Sequence, residues 1–365
     1  MESKVRQNFF ALVRAGIGKA KAVTLSIADW PEIQTIAEQQ GLYAIVLDGI
    51  EKLPENNRPK QELLLEWIGE VLQGYEYRYD AYKKTIAEMA GFYNRHDFKM
   101  MVLKGYACSL DWPRPEHRPC GDIDIWQFGD YKKADACVAK EKNIEIDSSH
   151  HHHTVFKWGD FTVENHYDFV NVYANRTNAQ LEKKFKELGN DDSQWVEVRD
   201  PSTDSTSKVY LPSTNLHALF LLRHAIIEFA ASGISLRQLL DWAFFVEKHG
   251  RYADWHWLEN VLDKYGMKEL YGIFNAICVE EFGFKSDVFN YVQFSPSTKD
   301  RVLREILYPQ YDKTKAHDSI IVKRIFFKFK RWKGNAWKRK LCSNDSSWST
   351  FWNNVWGHVL KPASI

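Results

Sequence analysis

The sequence predicts an α+β fold, with a small mixed β-sheet in the middle of the chain and helical regions before and after it. Three observations carry this. Apolar residues recur at helical spacing up to about residue 95 and again after Pro212. Between those limits the pattern shortens and alternates with period two. Turn chemistry punctuates the middle, at Trp112-Pro113-Arg114-Pro115, at Gly159-Asp160 and across 200–206. The expected regions are an N-terminal helical region (1–95), an α/β core (96–212), a C-terminal helical domain (213–300) and a basic, aromatic segment (301–365).

Taken in order, Trp30, Ile33, Ile36 and Ala37 mark a first helix, with Asp29 as its N-cap. The stretch 61–94 is nearly free of Gly and Pro and carries Leu63, Leu64, Trp67, Ile68 and Val71 on one face, so one or two amphipathic helices are expected. The run 100–103 reads as a buried strand, and Asp122-Ile123-Asp124-Ile125-Trp126 as an alternating one. A helix over 131–142 follows, then strands over 144–147, 154–158, 161–169, 195–199 and 207–211. Beyond Pro212, one helix runs through Leu216, Leu219, Phe220, Leu222 and Ile226. Another runs through Leu236, Leu239, Leu240, Ala243 and Phe244, with Ser235 as its cap.

Composition removes several classes. A hydrophobic fraction of 44% rules against wholesale disorder. The net charge of +1 leaves any attraction to nucleic acid or membrane to a local patch. The five cysteines are odd in number and lack a CxxC pair, which disfavours a disulfide framework or a cysteine zinc site. No run of about 18 apolar residues exists for a membrane span, so a cytoplasmic protein is expected, with at most a peripheral contact at the inner membrane surface.

The chemistry concentrates in two of the expected strands. Residues i and i+2 of a strand share a face, so Asp122 and Asp124 present two carboxylates side by side while Ile123 and Ile125 face the core. Like charges that close repel unless a cation or proton intervenes, and hard oxygen ligands favour Mg²⁺ or Mn²⁺. Glu164, His166 and Asp168 share a face in the same way. Pairing of the two strands would add Glu164 as a third carboxylate and let His166 line the site. Such a cluster suits in-line phosphoryl transfer.

Leu103-Lys104-Gly105, Arg118, Gly121-Asp122-Ile123-Asp124-Ile125 and Val163-Glu164-Asn165-His166 occur in that order. This ordered set resembles the DNA polymerase β-type nucleotidyltransferase superfamily, and within it a bacterial group of uncharacterised nucleotidyltransferases. Downstream, Leu211-Pro212, His217, Arg223-His224 and Leu236-Arg237-Gln238-Leu239-Leu240-Asp241-Trp242-Ala243 extend the likeness over roughly 95–250. The resemblance implies that Asp122 and Asp124 bind Mg²⁺ or Mn²⁺. Glu164 would be a third ligand or the base at the acceptor hydroxyl. Gly105 would let backbone amides approach the phosphates, and Lys104 and Arg118 would neutralise the triphosphate. The superfamily usually has Gly-Ser or Gly-Gly at this turn; here Tyr106 follows Gly105, and Ser109 is the candidate substitute hydroxyl.

Other features have blander readings. His150-His151-His152-His153 is expected as a solvent-facing loop or edge strand first, a neighbour of the nucleotide second and a zinc site third, since no matching ligand pair is evident. Arg237 and Asp241, four apart, suit an intrahelical ion pair, with Arg223 or His224 as further partners if Asp241 is buried. His217 and His224 suit packing on one helix face. Between Lys323 and Lys340 lie nine Lys or Arg and no acid, alongside Val322, Ile325, Phe326, Phe329 and Trp332. Trp337, Trp348, Phe351, Trp352 and Trp356 follow. This stretch, 320–340 above all, could pack on the chain itself, lie on an anionic membrane or bind RNA.

The expected activity is therefore metal-dependent transfer of a nucleoside monophosphate from an NTP, with release of pyrophosphate. The acceptor hydroxyl or phosphate belongs to a small molecule, a protein or RNA. The rivals are an inactive nucleotide-binding scaffold with the same fold, and an adaptor acting through its basic tail.

Overall fold

The structure is a computed structural model that describes residues 2–21, 23, 25, 29–311 and 321–346. Six strands form one mixed sheet: β1 (Met101–Val102), β2 (Ile123–Trp126), β3 (His153–Trp158), β4 (Phe161–His166), β5 (Trp195–Asp200) and β6 (Ser205–Tyr210), in the order β3-β4-β2-β1-β6-β5. The outer hairpins β3–β4 and β5–β6 are antiparallel, as is β1–β2, while β2–β4 and β1–β6 are parallel.

The α+β architecture expected from the sequence is present, with helices on either side of the sheet segment in the chain. Asp29 caps the helix Trp30–Gln39 by accepting from the Glu32 amide, and Ser235 forms a reciprocal capping box with Gln238 at the helix Leu236–His249. The long stretch after residue 60 is a helix Gln61–Glu70, a π-helical segment Val71–Tyr77 and a helix Arg78–Arg95.

Two strand expectations change. Residues 144–147 contribute only an isolated bridge between Asp147 and Val155, although Ile144 and Ile146 pack at the margin of the sheet core. β4 ends at His166 rather than running to residue 169, because the next amides are taken elsewhere. Those of Tyr167 and Asp168 donate to the His152 carbonyl at 3.0 Å each, and those of Phe169 and Val170 to the buried Glu182 carboxylate at 3.1 Å each. A strand cannot continue once its ladder donors are diverted.

One face of β2 and β4, with Ile123, Ile125 and Val163, joins the smaller core beneath the helices Arg78–Arg95 and Tyr131–Lys142. The larger core runs from Phe9 and Leu12 near the N-terminus through Trp126 to Leu239, Phe244 and Phe282. Asp124, alternating with the two isoleucines, therefore looks away from the smaller core, toward the helix Thr214–Ala231.

At the C-terminal end, Ala336–Cys342 packs on the chain's own helices. Trp337 meets Phe229, Lys338 is buried in an ion pair with Glu305 at 2.7 Å, and Asn335 donates to the Ala230 and Ala231 carbonyls. Phe329 is half exposed and stacks on Trp332. The side chains of Val322, Ile325 and Phe326, and the whole of Trp348, Phe351, Trp352 and Trp356, lie outside the described residues. Among the described residues no helix is long and apolar enough to cross a membrane.

Candidate active site

The parallel pairing of β2 with β4 puts Asp124 opposite Glu164 and Trp126 opposite His166. Two strands far apart in sequence thus deliver a carboxylate each to neighbouring positions on one face. Asp124, Glu164 and His166 form a group whose ligand atoms all lie within 4.8 Å of one another. His166 Nε2 is 3.0 Å from Asp124 Oδ1 and 3.6 Å from Glu164 Oε2, and its Nδ1 lies 3.3 Å from the Asp168 carbonyl. Asp122 stands one residue before β2 and is exposed. Its pKa is raised by partial burial and by the charges of Glu164 and Asp124, which a Thr162 hydrogen bond and Lys104 only partly offset. The three acids thus act on one another electrostatically.

Lys104, just after β1, reaches across to Asp124 at 2.8 Å. Burial disfavours the ammonium, but Asp124, with Glu164 and Glu228, holds its pKa above the ordinary lysine value. Asp124 shifts the other way: burial would raise its pKa, yet Lys104 and His166 drive it well below the usual carboxylate range. Glu164 is also lowered: burial and Asp124 would raise it, but the His166 hydrogen bond together with the charges of His153 and His166 prevails. His166 is raised in spite of burial, because it bonds Asp124 and Glu164. The centre is thus an ionised carboxylate cluster held together by one ammonium and one imidazole.

Gly105 adopts φ +50°, and Ser109 and Arg118 have other engagements. A Cβ on Gly105 would stand 2.3 Å from the Tyr82 hydroxyl, which donates to the Asp122 carbonyl at 3.1 Å. The turn is glycine because a tyrosine braces the acidic motif against it. The fully buried Ser109 hydroxyl donates to the Tyr106 carbonyl at 2.7 Å and pairs with Tyr79 at 3.0 Å, so it does not reach the carboxylates. Arg118 is buried in a two-pronged pair with Asp241, Nε–Oδ1 at 2.8 Å and Nη2–Oδ2 at 2.9 Å, and Trp112 donates to the same carboxylate at 2.8 Å. The phosphate roles expected of Ser109 and Arg118 conflict with these commitments: each polar group is already satisfied inside the protein.

Three features escaped the sequence reading. Asp241 pairs with Arg118, not with Arg237, Arg223 or His224. The Arg237 guanidinium consequently makes no ion pair or hydrogen bond among the described residues, and burial together with Arg118 lowers its pKa. His224 is not merely packed: its Nε2 lies 3.1 Å from the Lys104 ammonium, which ties the helix Thr214–Ala231 to the site. His217 does pack, against Cys108 and Phe245. Thirdly, the four histidines are not solvent-facing. They lead into the edge strand β3, yet His151 and His153 are buried and His150 and His152 are partly so. Burial, then neighbouring positive charges, pushes the pKa of His152 down to about 2; burial pushes that of His153 to about 4 although Glu164 opposes it. The missed signal was register: no spacing rule shows that His153 would face His166. Asp168 is peripheral, in an ion pair with Lys186.

A family model described as uncharacterised nucleotidyltransferase matches residues 26–283, most of the chain, including every element of this centre. The chain belongs to that family. No curated protein and no solved structure matches it. Membership in the nucleotidyltransferase family supports a general role in nucleotidyl transfer and agrees with a mixed sheet carrying acids at its centre.

Proposed function

We propose that the chain transfers a nucleoside monophosphate from a nucleoside triphosphate to a hydroxyl or phosphate acceptor, at the centre formed by Asp122, Asp124 and Glu164. The observation that carries the reading is the in-register pairing of Asp124 with Glu164 on parallel strands. Lys104 and His166 already offset part of the charge of these neighbouring acids, and a bound divalent cation would offset more.

The donor set fits a hard divalent cation: two carboxylates and one imidazole within 4.8 Å, with the exposed Asp122 at their margin. Bound there, Mg²⁺ or Mn²⁺ would polarise phosphate oxygens and stabilise the leaving pyrophosphate. Asp122 and Asp124 would hold that cation in position. Glu164, kept ionised by His166, accepts the proton of an acceptor hydroxyl as its oxygen bonds to the α-phosphorus. The bond from the α-phosphorus to the bridging oxygen breaks, and pyrophosphate departs. Lys104 and Arg237 supply positive charge for the triphosphate.

The test is incubation of the chain with each α-labelled NTP, Mg²⁺ or Mn²⁺ and a cell extract, followed by identification of the labelled product. Asp124→Asn should lower transfer on the order of a thousandfold, the equivalent of several kcal/mol of charge stabilisation. Glu164→Gln should slow transfer more than it weakens NTP binding. Transfer at the parental rate in Asp124→Asn would reject the reading. An inactive scaffold would bind NTP and label nothing.

A further inference from the structure

We propose that His152, His153 and His166 form a binding site for a first-row transition-metal divalent cation such as Zn²⁺ or Co²⁺, distinct in chemistry from the carboxylate centre beside it. The ring nitrogens of these three residues offer ligand atoms that all lie within 4.8 Å of one another. The backbone explains why. β3 and β4 are antiparallel with His153 directly opposite His166, so the two imidazoles are cross-strand neighbours on one face. His152 is brought over the end of β4 because its carbonyl accepts from both the Tyr167 and Asp168 amides, and the Tyr167 hydroxyl fastens the His150 carbonyl at 2.8 Å. Ring centroids separate His152 from His153 by 4.3 Å, His153 from His166 by 5.2 Å and His152 from His166 by 5.5 Å.

A second observation points to a ligand. His153 is 6% exposed, and its Nδ1 and that of His152 are buried without a hydrogen-bond partner. Leaving a buried polar atom unsatisfied is costly, and such atoms in pairs call for an explanation. A cation bound by the free nitrogens supplies one. Glu164 Oε2, 3.9 Å from His153 Nδ1 and 3.6 Å from His166 Nε2, is a fourth donor that lies near two of the three imidazoles. Three imidazoles and one carboxylate suit a tetrahedral first-row ion and discriminate against Mg²⁺, which prefers oxygen and octahedral geometry. His166 and Glu164 would be shared with the carboxylate centre, so the two cation sites adjoin. The inference does not rest on nucleotidyl transfer, and a chain without transferase activity would still have this site.

The experiment uses the full chain, stripped with a chelator and titrated with Co²⁺ in a large excess of Mg²⁺, with the visible absorption of imidazole-ligated cobalt as the readout. One Co²⁺ per chain should bind, displaced by Zn²⁺ and not by Mg²⁺. His152→Gln/His153→Gln should weaken binding by more than the roughly 10–100-fold that loss of an outer-shell partner costs, while Asp122→Asn should retain it. Displacement of Co²⁺ by Mg²⁺ in the unmodified chain would overturn the inference without recourse to any variant. So would parental cobalt affinity in the double variant.

Discussion

Replacing Asp241 by Asn would leave the Arg118 guanidinium charged and without its counterion in a site where both side chains are 5% exposed. The pair is bonded at two points and shares its carboxylate with Trp112, so little solvent can screen it. Two unit charges about 4 Å apart at an effective dielectric near 20 interact by roughly 4 kcal/mol. Removing one partner of such a buried pair typically destabilises by about 3–5 kcal/mol, because the survivor's desolvation is no longer offset. Asp241→Asn is therefore expected to lose about 4 kcal/mol of folding stability. Arg118→Met should lose a similar amount, and the double variant Arg118→Met/Asp241→Leu should recover much of it. Urea unfolding followed by tryptophan emission suits the measurement, since Trp112 touches the carboxylate directly. A loss below about 1 kcal/mol in both single variants would refute the reasoning. If Arg118→Met kept its stability and lost only NTP affinity, the arginine would be a triphosphate ligand after all.

Gly105→Ala should destabilise by about 1–3 kcal/mol through its positive φ alone, and further through overlap with the Tyr82 hydroxyl. Adding Tyr82→Phe should restore only the overlap part in thermal unfolding, and full restoration would show that backbone strain is negligible. His117 bonds Asp48 at 2.7 Å and Glu76 at 3.1 Å, and these interactions hold its pKa above the ordinary value in spite of burial. A raised histidine stabilises the fold fully below its unfolded pKa, near 6.5, and that contribution disappears as pH climbs through the folded value. The stability gap between the parent and His117→Asn should accordingly be wider near pH 6 than near pH 9 in urea titrations. Equal gaps at the two pH values would rule the linkage out.

What the sequence determined by itself was periodic and local. The alternation Asp122-Ile123-Asp124-Ile125 and the run through Val163-Glu164-Asn165-His166 fixed which side chains turn inward, because a strand has a two-residue period wherever it lies. Caps at Asp29 and Ser235 were readable for the same reason: a cap is settled within three residues. The acid cluster was legible as an expectation once two such strands were supposed to pair.

Partnership across distance was decided only by the tertiary structure. Arg118 and Asp241 are 123 residues apart, and nothing local distinguishes that pairing from the helical spacing of Arg237 and Asp241. The strand register set His153 against His166, which turned a histidine run that composition would leave in solvent into a buried face. The end of β4 was settled by Glu182 and by the His152 carbonyl, acceptors on other elements that took its amides. Hydrogen-bond and charge satisfaction is a global condition on the folded chain: each buried donor must find an acceptor somewhere, and only the closed fold says where.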